Sequence, residues 1–198
     1  MDEKFFILSY LVCFISRLCN GQSSIFSTAD VMLFDSSDLV YFEVLKPESL
    51  KYVYKLRPAK DFGSIFDLHF DSIRLVAVEP PNGCQEPSNS RMIQGAIALV
   101  ERGGCSFVSK SKMVEQFGAV AVLIADNAAD NVNTMLDMVQ DGTGRDVHIP
   151  AGFILGSDGY YIRKALRESH ETAAIISIPV NVTTSPHLYT KQPPWSYW

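Results

Sequence analysis

Glu101-Arg102-Gly103-Gly104-Cys105-Ser106-Phe107-Val108-Ser109-Lys110 is the stretch that decides the fold of this chain, because it joins an apolar run to a helical pattern. Its two glycines allow positive φ and a close approach of the backbone to a ligand. Ser106 is a suitable N-cap, and the first free N–H groups of a helix point beyond its start. The stretch therefore predicts a turn that presents a ligand. It supplies no nucleophile, general base or metal-ligand set, which favours a binding module over an enzyme.

The residues on either side of this turn predict a strand, a helix and a second strand. A continuous apolar run covers Ala96–Val100, and apolar spacing predicts a helix over Phe107–Phe117. Gly118 can end that helix before a strand over Ala119–Ala125. This order is that of a βαβ unit.

A second βαβ unit is predicted further along the chain. Its strands are Ile149–Leu155 and Ala173–Ile178, and Ser157 is the expected N-cap of the helix between them. The helix places four residues on one face: Ile162, Ala165, Leu166 and Ser169. Unbroken apolar runs of this kind predict strands that are covered on both faces.

The first half of the chain is predicted to be rich in antiparallel strands. Strand patterns cover Val40–Val44, Tyr52–Tyr54 and Ile73–Val78, with a turn at Lys46–Ser49. The fold class is therefore α/β, with a β-rich N-terminal half packed with βαβ units.

The segment between the two βαβ units is polar and harder to interpret. It runs from Asp126 to Asp146, and a short helix is expected around Thr134–Val139. Asp126, Asp130 and Asn131 suggest calcium, but their spacing departs from the EF-hand loop and its glycine is missing, so a solvated loop is expected.

An apolar run near the N-terminus, Phe5–Ile15, predicts export. It is shorter than the roughly 20 residues of a membrane span but suits the core of a signal peptide, with cleavage expected after Gly21. The alternative is a buried N-terminal core strand. With no second long apolar run, the expected product is soluble in the secretory pathway or outside the cell, with no membrane insertion.

Charge and cysteine content narrow the function further. The net charge of −5 disfavours nucleic acid as a partner. Cys13 and Cys19 fall in the predicted signal peptide, so Cys84 and Cys105 are expected to form a disulfide worth roughly 3 kcal/mol. No metal or cofactor is expected, because the histidines lack the paired spacing of a zinc site. They are His69, His148, His170 and His187.

Several motifs together resemble the protease-associated (PA) domain family. They comprise Ala96–Phe107 with Lys110, Gly118-Ala119, Ile124, Asn127, Ile149–Ala151, Asp158-Gly159, Pro58–Gly63, Gly83-Cys84 and Ser88-Asn89. The resemblance covers roughly residues 40–180. It implies a compact domain of the swivelling β/β/α type, in which a β-rich part packs against βαβ elements.

The same resemblance implies a function and a site. PA domains occur in peptidases, vacuolar sorting receptors and membrane-bound ubiquitin ligases, where they bind peptides, cargo or partners without chemistry. In the sorting receptors an Arg-Gly-x-Cys-x-Phe turn contacts cargo, and four residues match that motif: Arg102, Gly103, Cys105 and Phe107. The alternative is that Arg102 only caps a sheet edge and pairs with Glu101 or a loop acid.

The expected binding surface lies at the edge where the predicted strands end, since ligands of open α/β sheets gather there. Its residues are Arg102, Gly103, Gly104, Cys105, Phe107 and Asn127. Ser157 lacks the spacing of a nucleophile elbow, and no catalytic residue is expected.

Two features follow the last predicted strand. Asn181-Val182-Thr183 is an N-glycosylation sequon on a chain predicted to be exported. The tail beyond it carries Pro193 and Pro194 among four aromatic residues that either pack on the domain, which is favoured, or are grasped by a partner. They are Tyr189, Trp195, Tyr197 and Trp198.

The expected organisation is a signal peptide (1–21), an N-terminal extension (22–39), a PA domain (40–180) and a C-terminal tail (181–198). The expected function is that of a secreted, glycosylated, monomeric and non-catalytic module that binds a peptide segment or a protein partner. Two alternatives stay open: a regulator that docks on a peptidase or receptor, and an unrecognised hydrolase.

Overall fold

The fold is given by a computed structural model of the chain, which describes residues 39–67, 69–182 and 191–196. The strands are β1 (Val40–Lys46), β2 (Val53–Pro58), β3 (Phe70–Ala77), β4 (Ile97–Glu101), β5 (Ala121–Ala125), β6 (Ala151–Ile154) and β7 (Ala174–Ile178). The helices are a 3-10 turn (Glu48–Leu50), α1 (Ser90–Ile93), α2 (Phe107–Gln116) and α3 (Gly156–Glu168). The predicted signal peptide lies outside the described residues.

The strands form one closed barrel in the order β1-β2-β6-β5-β4-β3-β7. Its wall combines two kinds of pairing. β3, β4, β5 and β6 are parallel neighbours, and α2 connects β4 to β5. β1 pairs antiparallel with β2 and β7, β2 pairs antiparallel with β6, and β7 pairs antiparallel with β3. The N-terminal half is therefore not purely antiparallel, since β3 joins the parallel group.

The prediction of a second βαβ unit is wrong for its last strand. β7 lies between β1 and β3, antiparallel to both, and does not pair with β6. Burial explains the error: Ile175 and Ser177 are only half-buried, whereas every residue of β5 and β6 is buried. Alternating burial is typical of a strand with one covered face, and such a strand closes this barrel.

Two hydrophobic clusters lie on opposite faces of the barrel wall. The inner cluster takes residues from all seven strands, including Leu99 of β4 and Leu123 of β5, and Ile162 of α3 joins it. The outer cluster takes the alternate residues, such as Val100 and Ile124, and is covered by α1 and α2. Because side chains alternate along a strand, an apolar run such as Ile97–Val100 serves both clusters.

The predicted ends of α2 are confirmed. The Ser106 hydroxyl accepts the N–H of Ser109, and Gly118 follows the helix with φ +80°. The buried face of α2 is not made of apolar residues alone. Val108, Val114 and two polar residues are buried, while Met113 and Phe117 are half-buried. The two polar residues can be inside because each bonds to backbone carbonyls: Lys110 and Ser111.

α3 begins two residues earlier than predicted, and Ser157 is not its N-cap. That position belongs to Leu155, whereas the hydroxyl of Ser157 is buried without a hydrogen-bond partner. The helix starts at Gly156, where an added Cβ would lie 1.9 Å from the carbonyl oxygen of Ala128. This close contact sets α3 against the end of β5. Ser169, which was predicted to share a helix face with Ile162 and Leu166, is exposed.

The segment 126–150 contains no helix, so the helix expected around Thr134–Val139 is absent. Asn131 Oδ1 accepts the N–H of Thr134 at 2.8 Å, which forms a side-chain turn in place of a helical bond. Arg57 then donates to the carbonyl of Met135 and pairs with Asp137 at 3.1 Å. Local side-chain bonds and long-range ion pairs therefore fix this loop.

The described part of the C-terminal tail packs on the barrel. The Trp195 ring stacks on Tyr161 with 4.0 Å between ring centroids, and its edge meets Tyr52. Its indole Nε1 donates to Asp158 Oδ1 at 2.8 Å. The other aromatic residues of the tail lie outside the described residues: Tyr189, Tyr197 and Trp198.

Asp158 makes the stability of the fold depend on pH. Burial raises the pKa of this carboxyl from 3.8 to about 6, against hydrogen bonds from Trp195 and Ser196 that lower it. A raised carboxyl pKa contributes stability that is present below pH 4 and is lost as the pH rises through 6. We therefore expect Asp158→Asn to gain about 2–3 kcal/mol relative to the wild type between pH 4 and pH 7.5.

Urea unfolding of both proteins across that pH range measures this difference. The comparison with the variant is needed because the pKa of some other carboxyls is lowered in the folded protein, as at Asp137. A difference between the two proteins that does not change with pH would contradict the assignment to Asp158.

Candidate functional site

The candidate site lies where β4 and β5 end. The two strands are parallel and in register from Ile97 with Ala121 to Glu101 with Ala125, so their carboxyl ends meet at one edge. The turn of residues 102–106 follows β4, and the long loop from residue 126 follows β5. The N–H of Arg102 donates to the carbonyl of Ala125 at 2.8 Å, which joins the two segments at their start.

The conformation of the turn depends on both glycines. Gly103 has φ +103° and Gly104 has φ +83°, values that L side chains rarely adopt. An added Cβ at Gly104 would also lie 3.1 Å from Cys84 Sγ. The positive φ predicted for this pair is therefore confirmed, and Gly104 is confined by the neighbouring sulfur as well.

Two interactions hold the turn against the loop of residues 80–84. One is a disulfide between Cys84 and Cys105, whose Cα atoms are 5.8 Å apart. The other is Lys110, which is fully buried and donates from Nζ to the carbonyls of Asn82 and Gly103, both at 2.5 Å. Burial lowers the pKa of Lys110 to about 8, so the ammonium form still dominates at neutral pH. No local sequence pattern predicts that this lysine is buried.

Arg102 pairs with a loop acid. Its Nη1 lies 3.2 Å from Asp126 Oδ1; the Arg102 side chain is 45% exposed and the Asp126 side chain 8% exposed. Glu101 instead lies 3.1 Å from Nε of the buried Arg163. Asp126 also accepts the N–H of Asn127 and a side-chain N–H of Asn131. Asp126 therefore orients Arg102 and also holds the start of the loop in place.

A second carboxylate joins the turn to the far end of the loop. Asp141 accepts the hydroxyl of Ser106 and a guanidinium N–H of Arg145 at 2.6 Å. Thr143 donates to it from both its N–H and its hydroxyl. Hydrogen bonds from Ser106 and Thr143 hold the pKa of Asp141 well below its usual range. Both oxygens of the Asp141 carboxylate therefore already accept hydrogen bonds from within the chain.

Between the turn and the loop lies an open cleft of about 470 Å³. Five of the six predicted binding residues line it: Arg102, Gly103, Cys105, Phe107 and Asn127. Gly104 faces Cys84 and Asn82 instead. Ser106 and three further residues that the sequence did not indicate complete the lining: Val139, Gln140 and Asp141. The three lie far along a polar loop without periodicity, so no local pattern marked them.

The lining mixes apolar and polar surface. Val139 is 56% exposed, although it is a large aliphatic side chain. The half-buried ring of Phe107 packs edge-on against Phe153, with 6.4 Å between ring centroids. Arg102 and Asn127 provide hydrogen-bonding groups in the same lining. Such a surface suits a segment that has both a backbone to bond and an apolar side chain to bury.

The described residues give no support for metal binding in this region. No group of three or more His, Cys, Asp or Glu side chains suited to a metal ion occurs in the described ranges. Asn131 Nδ2 donates to Asp126 Oδ2 at 2.8 Å, so an amide donor occupies the oxygen that a calcium ion would need. In the same ranges, no helix has the length and apolar character to cross a membrane.

Comparisons with known proteins give several similar sequences and structures. The sequence model of the PA domain matches residues 72–162. The chain is 33% identical to human ER degradation-enhancing alpha-mannosidase-like protein 3 over 59% of this chain and 13% of that protein. A zinc aminopeptidase from Bacillus subtilis superposes with a TM-score of 0.47 and 18% identity, over 71% of this chain and 29% of that chain.

One relative matches along nearly its whole length. The PRADC1-like protein of Drosophila melanogaster is 38% identical over 193 residues, which cover 95% of this chain and 96% of that protein. Because the similarity extends over almost all of both sequences and includes the turn and the cleft, the chain belongs to the family of PA-domain proteins.

Proposed function

We propose that this protein is a non-catalytic PA-domain module that binds a peptide segment or a protein partner in the cleft between the turn and the loop. The observation that carries the proposal is the cleft lining: an exposed Val139 and the Phe107 ring line the same open cleft as Arg102 and Asn127. We take residues 40–180 as the domain that carries this site, with the described tail residues 191–196 packed beside it.

The chemistry of the lining supports binding over catalysis. A general acid or base needs a side chain, most often an imidazole or a carboxyl, that can exchange a proton near neutral pH. Asp141 is held in its ionised form by donors from Ser106, Thr143 and Arg145. Cys105 is in a disulfide, and the hydroxyl of Ser106 donates to Asp141 and caps α2. The charged groups of the cleft are therefore already partnered, and recognition relies on hydrogen bonds and apolar contact.

We further propose that the protein acts as a monomer in the secretory pathway or outside the cell and carries an N-glycan. The support is the signal-peptide pattern of residues 1–21 and the exposed Asn181 that follows β7. Recovery of the protein from the culture medium, with a gel mobility that changes on glycosidase treatment in the wild type and not in Asn181→Gln, tests this proposal.

Arg102→Ala is expected to weaken binding of the partner by roughly 1.5–3 kcal/mol, because a hydrogen bond to a charged group is lost. At 45% exposure the side chain contributes little to the core, so the fold should persist. The measurement is quantitative co-purification from secreted material with wild-type and variant protein, followed by titration of the recovered partner.

Arg167→Ala is the matched control, since Arg167 is an exposed arginine on the last turn of α3. It should bind like the wild type. Equal affinity of Arg102→Ala and Arg167→Ala for a recovered partner would place the binding surface elsewhere on the molecule.

A further inference from the structure

The environment of the disulfide is asymmetric. The ammonium of Lys110 lies 3.4 Å from Cys84 Sγ, whereas Cys105 lines the open cleft. The lysine side chain is 0% exposed, so water does not screen its charge as it would at the surface. One sulfur of the bond therefore faces a buried cation, and the other belongs to a residue that a solute in the cleft can reach.

A neighbouring cation changes the chemistry of a cysteine in a predictable direction. It stabilises the thiolate and lowers the thiol pKa below the ordinary value of about 8.5. In thiol–disulfide exchange, the sulfur with the lower thiol pKa is the better leaving group. The position of Lys110 thus favours Cys84 as the leaving group. The position of Cys105 at the cleft favours attack of an incoming thiolate on Cys105.

We propose that Cys84–Cys105 is a thiol-exchange site with a fixed polarity, and that its co-reactant is a small-molecule thiol. The thiolate enters through the cleft and attacks Cys105 Sγ. A new S–S bond forms between the reactant and Cys105, and the Cys84–Cys105 bond breaks. The electron pair of the broken bond stays on Cys84, which leaves as a thiolate beside the Lys110 ammonium. One disulfide replaces another, so no further oxidant or reductant is needed.

The disulfide can open within the folded domain because hydrogen bonds from Lys110 also hold the turn. Lys110 continues to hold the carbonyls of Asn82 and Gly103 when the sulfur atoms separate. Glu101 is the other charged group that acts on Lys110, and its effect is to favour the ammonium form. The exchange therefore modifies the cleft at Cys105 without requiring the domain to unfold.

The first test uses reduced glutathione on the folded wild-type protein. After brief incubation, the reaction is quenched with acid and free thiols are alkylated, and peptide mass spectrometry locates the glutathione. We expect glutathione on Cys105 and alkylation on Cys84, with at least a tenfold excess over the opposite arrangement. A preference for Cys84, an even distribution, or exchange only under denaturing conditions would overturn the proposal.

The second test measures the two thiols separately. In Cys105→Ser, the alkylation rate of Cys84 against pH should show a midpoint below about 8.5, and in Cys84→Ser the midpoint for Cys105 should be higher. Lys110→Met in the Cys105→Ser background should raise the Cys84 midpoint. If that variant does not fold, the alkylation midpoints of Cys105→Ser and Cys84→Ser test the proposal by themselves. Equal midpoints in these two proteins would refute the assigned polarity.

Discussion

Gly156→Ala is expected to lower the free energy of unfolding by about 3 kcal/mol or more, because the new methyl group has no space. Its Cβ would lie 1.9 Å from the carbonyl oxygen of Ala128 and 3.1 Å from that of Asp126. Both neighbours are backbone atoms, so a side-chain rotation cannot relieve the clash. Since alanine is intrinsically better than glycine in a helix, a loss of stability at this position can only come from packing.

The same substitution should also disturb the candidate site. The clash pushes on residues 126–128, which include the carboxylate that orients Arg102. Urea unfolding measures the stability, and Gly142→Ala is the matched control because its added Cβ meets nothing within 4 Å. With φ +73° at Gly142, that control carries only the left-handed backbone cost of roughly 1–2 kcal/mol. Similar losses in the two variants would show that α3 can shift away from the loop.

Trp195→Ala is expected to cost about 3–4 kcal/mol, the second largest effect. The substitution removes a ring stacked on Tyr161 and also removes the indole donor at 2.8 Å from Asp158. A buried carboxylate that loses a donor raises the cost above that of apolar area alone. Thermal and urea unfolding of the full chain measure the loss.

Trp195→Phe separates the two contributions. Phenylalanine keeps an aromatic ring over Tyr161 but cannot donate to Asp158, so an intermediate loss of about 1–2 kcal/mol is expected. If Trp195→Ala left the stability unchanged, the packed position of the described tail would not contribute to the fold in solution.

The sequence predicted the centre of the fold because local rules decide it. The strand before the turn, the helix cap at Ser106 and the end of α2 at Gly118 each follow from a residue that acts on its near neighbours. These are the features for which propensity and capping chemistry are informative. Five of the six predicted binding residues also reach the cleft, since two parallel strands must end at the same edge.

The errors arise where distant residues decide the outcome. β7 runs opposite to the predicted direction because closure of the barrel needs a strand between β1 and β3. Lys110 is buried because carbonyls from two separate segments surround it, and no neighbour in the sequence signals that. Val139 and Asp141 reach the cleft through ion pairs and hydrogen bonds that span the loop. None of these contacts leaves a periodic pattern.

Ser157 shows a third kind of error, in which the correct residue type stands at the wrong helical position. A serine before an apolar helix is a sound N-cap by local chemistry. Here the helix starts earlier, at Gly156, whose backbone lies too close to the carbonyl of Ala128 for a side chain. Close packing between a helix and a distant loop thus overrides the capping preference.

Closure of the barrel restricts how a partner can be held. Each of the seven described strands has a neighbour on both sides, so none offers a free row of N–H and C=O groups to a visiting strand. A peptide cannot extend this sheet in the manner of β-augmentation, where main-chain bonds supply affinity whatever the side chains are. Under the proposed function, recognition therefore comes from the side chains and the turn at the cleft, which favours discrimination between partner sequences. None of the seven described strands presents the exposed sheet edge through which chains aggregate.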